Sequence, residues 1–158
     1  MIYDSLLKMK ATNTGSNTYH ASVLQNLYMG NRGEVISFLQ YSYQVSQLKT
    51  FNNTLVKIFE RICQEENEHM QLLASQITLL GADPIYAQNN KFLGGRAISY
   101  AKNIKTMLVS NIEMKETSII EYKKAILKID NQNIKTLLQK ILADEQTHLA
   151  LLYNIPLN

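Results

Sequence analysis

The chain has 158 residues, 46% of them hydrophobic, with two prolines, six glycines, one cysteine and a formal net charge of +3. This length supports one domain with its own core, and few helix breakers among runs of Leu, Ile, Lys, Gln and Glu point to an all-α chain. Scattered lysines argue against a nucleic-acid partner, Cys63 alone excludes an intrachain disulfide, and no apolar run approaches membrane-spanning length, so a soluble cytoplasmic protein is expected.

The first 19 residues are expected to be loose, because Ala11 to Tyr19 is polar and without pattern, and Met1 to Lys10 lacks the apolar core of a signal peptide. A single domain is expected over residues 20–158. A short helical piece is predicted around Val23 to Tyr28, before Gly30 and Gly33 interrupt it. The first long helix is predicted from about Asn31 to Leu48. The second starts near the cap candidates Asn53 and Thr54 and stops at Gly81, with Pro84 just beyond.

Ala82 to Arg96 contains Asp-Pro, Asn-Asn and Gly-Gly and reads as a connection. A third helix from about Ala97 to Ile129, a tight turn at Asp130-Asn131-Gln132 and a fourth helix over roughly Asn133 to Asn154 complete the chain. Short turns make the first and last pairs antiparallel neighbours. The middle connection, about fifteen residues, spans roughly 45–50 Å when extended. It can return the chain along a bundle, giving two hairpins joined by one long crossover; a plain up-down bundle is the alternative.

The second and fourth helices each carry Glu-x-x-His in an apolar seam stepping by four and three. One seam reads Leu55, Phe59, Ile62, Glu66, His69, Leu73; the other reads Ile134, Leu138, Ile141, Glu145, His148, Leu152. This spacing puts a carboxylate and an imidazole on one face, one turn apart. Four such groups facing a core are costly unless something satisfies them, and a metal is the usual partner. A shift of 79 residues superposes these two helices. A shift of 81 superposes the other two, placing Phe38 on Ile119, Tyr41 on Tyr122, Val45 on Ile126 and Leu48 on Ile129. The chain thus reads as a duplicated hairpin, with Glu34 in one half matched by Lys115 in the other. Glu116 lies one step off that seam and Glu113 two steps off.

Gly33-Glu34 through Tyr41, Glu66-Asn-Glu-His69, Asp144-Glu145-Gln-Thr-His148 and the stretch from Asn111 to Glu145 resemble the ferritin-like superfamily, in particular its rubrerythrin, bacterioferritin and manganese-catalase-like members. The resemblance covers about Gly30 to Tyr153 and implies a ferritin-like four-helix bundle. It also implies a di-metal site taking one Glu from each first helix and Glu-x-x-His from each second helix. Glu34, Glu66, His69, Glu145 and His148 match that pattern, and Lys115 stands at the sixth position.

Three carboxylates less one ammonium leave a formal −2, which one divalent ion balances. A second ion would lose a ligand and meet a like charge, a repulsion of order 4 kcal/mol for unit charges at 4 Å and an effective dielectric near 20. Three arrangements follow: Lys115 beside one metal, Lys115 in place of all metal, or Lys115 turned outward with Glu116 as sixth ligand and two metals. Carboxylate and imidazole donors suit iron, manganese or zinc.

The resemblance implies an oxidoreductase acting on peroxide or oxygen at an Fe or Mn site, in a homo-oligomer, a dimer. No Cys-x-x-Cys is present, so electrons would come from elsewhere, or the reaction would be a dismutation. The alternative is a non-catalytic metal-binding or assembly bundle with a degenerate site. Tyr41 and Tyr122 are candidate hydrogen-bond donors near the site or core residues, and Cys63 reads as a small core hydrophobe.

Overall fold

The computed structural model describes residues 17–50, 53–92 and 94–156. The expected loose segment lies outside the described residues up to position 16. Asn17 already caps a helix, its side chain accepting from His20 N at 2.9 Å. Five α-helices follow: α1 (Thr18–Met29), α2 (Glu34–Leu48), α3 (Asn53–Leu79), α4 (Ile104–Lys128) and α5 (Gln132–Tyr153). Among the described residues there is no strand beyond an isolated bridge between Gln88 and Lys91.

The short piece expected before Gly30 is a full helix of 12 residues. It packs on the C-terminal half of α3 while α2 packs on the N-terminal half, and Asn17 N reaches Leu80 O at 3.2 Å. Together α1 and α2 therefore form the first long helix of the bundle, broken at Gly30–Gly33. Helix α3 ends in a Schellman motif: Gly81 is left-handed at φ 82°, Gly81 N bonds Thr78 O at 2.9 Å and Ala82 N bonds Ile77 O at 3.1 Å.

The third long helix begins later than predicted. Ala97 closes a single 3-10 turn (Gly94–Ala97), and α4 starts at Ile104 because Asn103 accepts from Thr106 N at 2.9 Å. The crossover is correspondingly longer and is fastened to the bundle. Ser99 N donates to Gln40 Oε1 at 2.8 Å, and Gln25 Nε2 donates to Ile85 O at 2.6 Å. The result is a four-helix bundle of two antiparallel hairpins joined by one long crossover.

Two apolar clusters fill the bundle. One holds Leu24, Leu27, Leu73, Ile77, Leu138 and Ile141, and the other holds Leu48, Phe59, Ile62, Met107, Met114 and Leu152. Between them lies a polar layer in which Glu34, Ser37, Glu66, His69, Lys115, Glu145 and His148 are all buried. No described helix is long and apolar enough to cross a membrane.

Candidate metal centre

Each hairpin presents its polar residues at the same level of the bundle. Glu34 is the first residue of α2, Glu66 and His69 lie at mid-α3, Lys115 at mid-α4, and Glu145 and His148 on α5. Lys115 turns inward and is fully buried. Its Nζ donates to Glu66 Oε1 at 2.5 Å and to Glu145 Oε1 and Oε2 at 2.9 and 3.0 Å, and Ser37 Oγ lies at 3.4 Å. It also sits 5.6 Å from the centroid of the Tyr41 ring. Burial works against the ammonium, but Glu145 and Glu66 outweigh it and hold Lys115 well above the ordinary lysine range.

Glu116 does not join the cluster. It is exposed and accepts from Tyr153 OH at 2.6 Å. The expectation of Glu116 as sixth ligand is corrected by helix geometry: with Lys115 facing the core, the next residue is turned about 100° away. The arrangement with Lys115 turned outward falls with it.

The other five predicted residues come together. Glu34, Glu66, His69 and Glu145 each offer an atom within 4.8 Å of the others. His69 Nδ1 lies 3.6 Å from Glu34 Oε2 and 3.7 Å from Glu145 Oε1. His148 Nδ1 lies 3.1 Å from Glu66 Oε1 and 3.4 Å from Glu145 Oε1, neither with hydrogen-bond geometry. Glu66 and Glu145 are thus shared between two halves. Glu34 and His69 flank one half, while Lys115 and His148 flank the other.

Two residues to which the sequence assigned no role orient the imidazoles. His69 Nε2 bonds Asp144 Oδ2 at 3.2 Å, and His148 Nε2 bonds Glu65 Oε2 at 2.5 Å. The exchange is reciprocal: the acidic residue before each motif glutamate holds the histidine of the other hairpin. The doublets Glu65-Glu66 and Asp144-Glu145, again 79 apart, were the available signal. With Nε2 committed outward, each Nδ1 faces the cluster, the orientation that a carboxylate-held histidine presents to a metal.

The charges are strongly perturbed. Burial, then Glu66 and Glu145, raise the Glu34 carboxyl to about 7, although its place at a helix N-terminus favours the anion. Burial also opposes ionisation of Glu66, but Lys115 and His148 hold it well below the carboxylate range. Burial disfavours the imidazolium of His69, yet Asp144 and Glu34 raise it to about 10. His148 rises to about 11, with Glu145, Glu65 and Glu66 overcoming burial. Without metal, protonated imidazoles and Lys115 supply the positive charge.

The fit to a metal differs between the halves. Glu34 Oε2, Glu66 Oε2, His69 Nδ1 and His148 Nδ1 are buried without hydrogen-bond partners, and a metal ion that displaces the imidazole protons would satisfy such atoms. Glu34 Oε2 and His69 Nδ1 belong to the Glu34–His69 half, where Glu34, Glu66, His69 and Glu145 each offer an atom around one point. In the other half the Lys115 ammonium already occupies the space between Glu66 and Glu145.

The rubrerythrin family pattern matches residues 25–155. The chain belongs to the rubrerythrin family. A bacterioferritin of Desulfovibrio desulfuricans, described with a diiron site, is similar at 20% identity over 91% of this chain and 82% of that one, with a TM-score of 0.74. The manganese catalase KatB of Anabaena is similar at 18% identity over 87% and 71%, with a TM-score of 0.70. At such identities the likeness concerns the fold. No curated protein sequence matches the chain. In this rubrerythrin-family member the carboxylate–histidine cluster lies where the two hairpins meet, with Lys115 inside it.

Proposed function

We propose that this protein is an oxidoreductase acting on peroxide or oxygen at a mononuclear carboxylate–histidine site. Iron or manganese would be held by Glu34, Glu66, His69 and Glu145, with Lys115 standing in for a second ion. The observation that carries this reading is the asymmetry of the cluster: Glu34, Glu66, His69 and Glu145 offer atoms within 4.8 Å of one another, with Glu34 Oε2 and His69 Nδ1 unpartnered, while Lys115 Nζ fills the other half at 2.5 Å from Glu66 and 2.9 Å from Glu145. His148 would become a ligand only where a second ion displaced the lysine.

The bound metal would supply the redox chemistry. The chain's own residues set its conditions. Asp144 fixes the His69 ring, Tyr122 holds Glu34 Oε1 through its hydroxyl, and Lys115 keeps a permanent positive charge beside the two shared carboxylates. Glu34, with a carboxyl near 7, can hold or release a proton around neutral pH. The reading includes a cytoplasmic homodimer, testable by light scattering.

Metal analysis of the purified protein, with anomalous scattering at the cluster, tests the proposal. One iron or manganese ion per chain supports it, and two overturn the role given to Lys115. A second reading, a metal-free structural bundle, rests on the three short bonds by which Lys115 joins Glu66 to Glu145. A protein that takes up neither metal would establish that one.

A further inference from the structure

Every residue of the cluster is almost fully buried, so a small oxidant needs a way in. The structure offers one at the break in the first long helix. Gly30 and Gly33 let α1 and α2 meet so closely that a Cβ on Gly33 would lie 2.7 Å from Leu27 O and 2.8 Å from Gly30 N. The turn between them leaves a cavity of about 240 Å³ between the broken helix and α4.

Its rim carries exposed Asn26, Asn31 and Thr117 with half-buried Arg32 and Glu121, whose opposite charges leave it formally neutral, and its lining includes buried Leu27, Ser118 and Tyr122. Tyr122 is the decisive member. It lines the cavity, and its hydroxyl donates to Glu34 Oε1 inside the cluster. Glu34 itself follows Gly33, which lines the same cavity. A single aromatic residue thus joins a solvent-facing cavity to the Glu34–His69 half of the cluster.

We propose that the Gly30–Gly33 break forms the entry route for a neutral, peroxide- or dioxygen-sized molecule, with Tyr122 as its inner wall. This rests on the metal-site reading for its purpose, but the route is testable without metal. The competing path is the larger open groove between α2 and α3, about 550 Å³, lined by Phe38, Ser42 and Cys63.

The test uses metal-free, full-length protein labelled with carbon-13 in its tyrosine rings, under dissolved dioxygen as a paramagnetic probe. The Tyr122 ring is expected to broaden several-fold more than the equally buried Tyr41 ring. Filling the cavity by Ser118→Phe, or by Thr117→Trp at its exposed rim should the first variant not fold, brings Tyr122 down to the Tyr41 level. Ser42→Trp, in the competing groove, leaves it unchanged. Broadening of Tyr122 no greater than that of Tyr41, or insensitive to both fillings, overturns the proposal, as does a loss caused by Ser42→Trp. In protein loaded with iron(II), the same fillings slow oxidation by hydrogen peroxide by about tenfold at unchanged metal content. Absence of bound metal would defeat the functional reading while leaving the dioxygen result to decide the route.

Discussion

Tyr122 donates its hydroxyl to Glu34 Oε1, whereas Tyr41, 81 residues earlier, lies over Lys115 with its own hydroxyl unpartnered in the core. Residue 115 occupies the position matched to residue 34. The partner that Tyr41 lacks is thus the carboxylate that Lys115 replaces. An orphaned buried hydroxyl costs about 1–3 kcal/mol, tolerated here beside a cation–π contact with the same lysine.

Lys115→Glu restores both features. The variant is expected to bind two metal ions per chain where the natural protein binds one, and Tyr41 gains an acceptor. Elemental analysis reads the first change, and the hydroxyl stretch or chemical shift of Tyr41 reads the second. An unchanged ion count would remove the lysine from its assigned role.

Lys115→Met tests the same residue through stability. Removing the ammonium of this buried ion pair leaves Glu66 and Glu145 with only the imidazoliums of His69 and His148 beside them, at a cost of about 3–5 kcal/mol in the metal-free protein. Urea unfolding should show that loss, and manganese or iron should recover part of it by binding only the folded state. A metal-free variant as stable as the parent would contradict the arrangement.

The two histidine supports should differ. Asp144→Asn loosens His69, a ligand of the proposed ion, and is expected to weaken metal binding about 10–100-fold. Glu65→Gln loosens His148, which faces Lys115, and should change affinity far less. Isothermal titration with manganese compares them, and equal losses would argue that His148 is also a ligand.

Proton linkage gives the metal-free protein an unusual pH profile. His69 and His148, raised from 6.5 to about 10 and about 11, contribute stability that is complete below pH 6.5 and is lost as pH rises through those values. Glu34, raised from 4.5 to about 7, acts in the same direction, because the folded state keeps a proton that the unfolded chain has released. Glu65, lowered to about 2 mainly by its bond from His148, contributes stability that is lost as pH falls below 4.5. Thermal midpoints of the metal-free protein should peak near about pH 5 and decline toward pH 10. Metal affinity should rise over the same range as protons leave the ligands.

A second buried polar seam ties the hairpins together. Gln40 Nε2 donates to Asn111 Oδ1 at 2.8 Å, and Asn111 Nδ2 donates to Gln44 Oε1 at 2.7 Å. Asn111→Leu leaves Gln40 Nε2 and Gln44 Oε1 without their partner and should destabilise the fold by about 2–4 kcal/mol, measured by urea unfolding. Metal content should stay as in the parent, since neither glutamine touches the cluster.

Much of the bundle was legible in local signals. The four-three spacing of Phe59, Ile62, Leu138 and Ile141 marks the buried helix faces, and the Glu-x-x-His pairs mark the polar layer between the two apolar clusters. Boundaries were less legible where a cap overrode a pattern. Asn103 starts α4 seven residues later than the predicted Ala97, and Asn17 starts α1 well before Val23, because one side-chain oxygen on the first turn decides where a helix begins.

The chain alone determined that a carboxylate–histidine layer would sit between two helical hairpins, because residue spacing on a helix is a local property. Only the tertiary structure decided where Lys115 points, since a lysine can extend outward or pair inward depending on what the opposite helices place within its reach. Here Glu66 and Glu145 are within 3 Å, and their charges outweigh the cost of burying the ammonium. The same dependence on neighbouring helices hid Glu65, Asp144 and the cavity behind Tyr122, each of which exists only when elements distant in sequence come together.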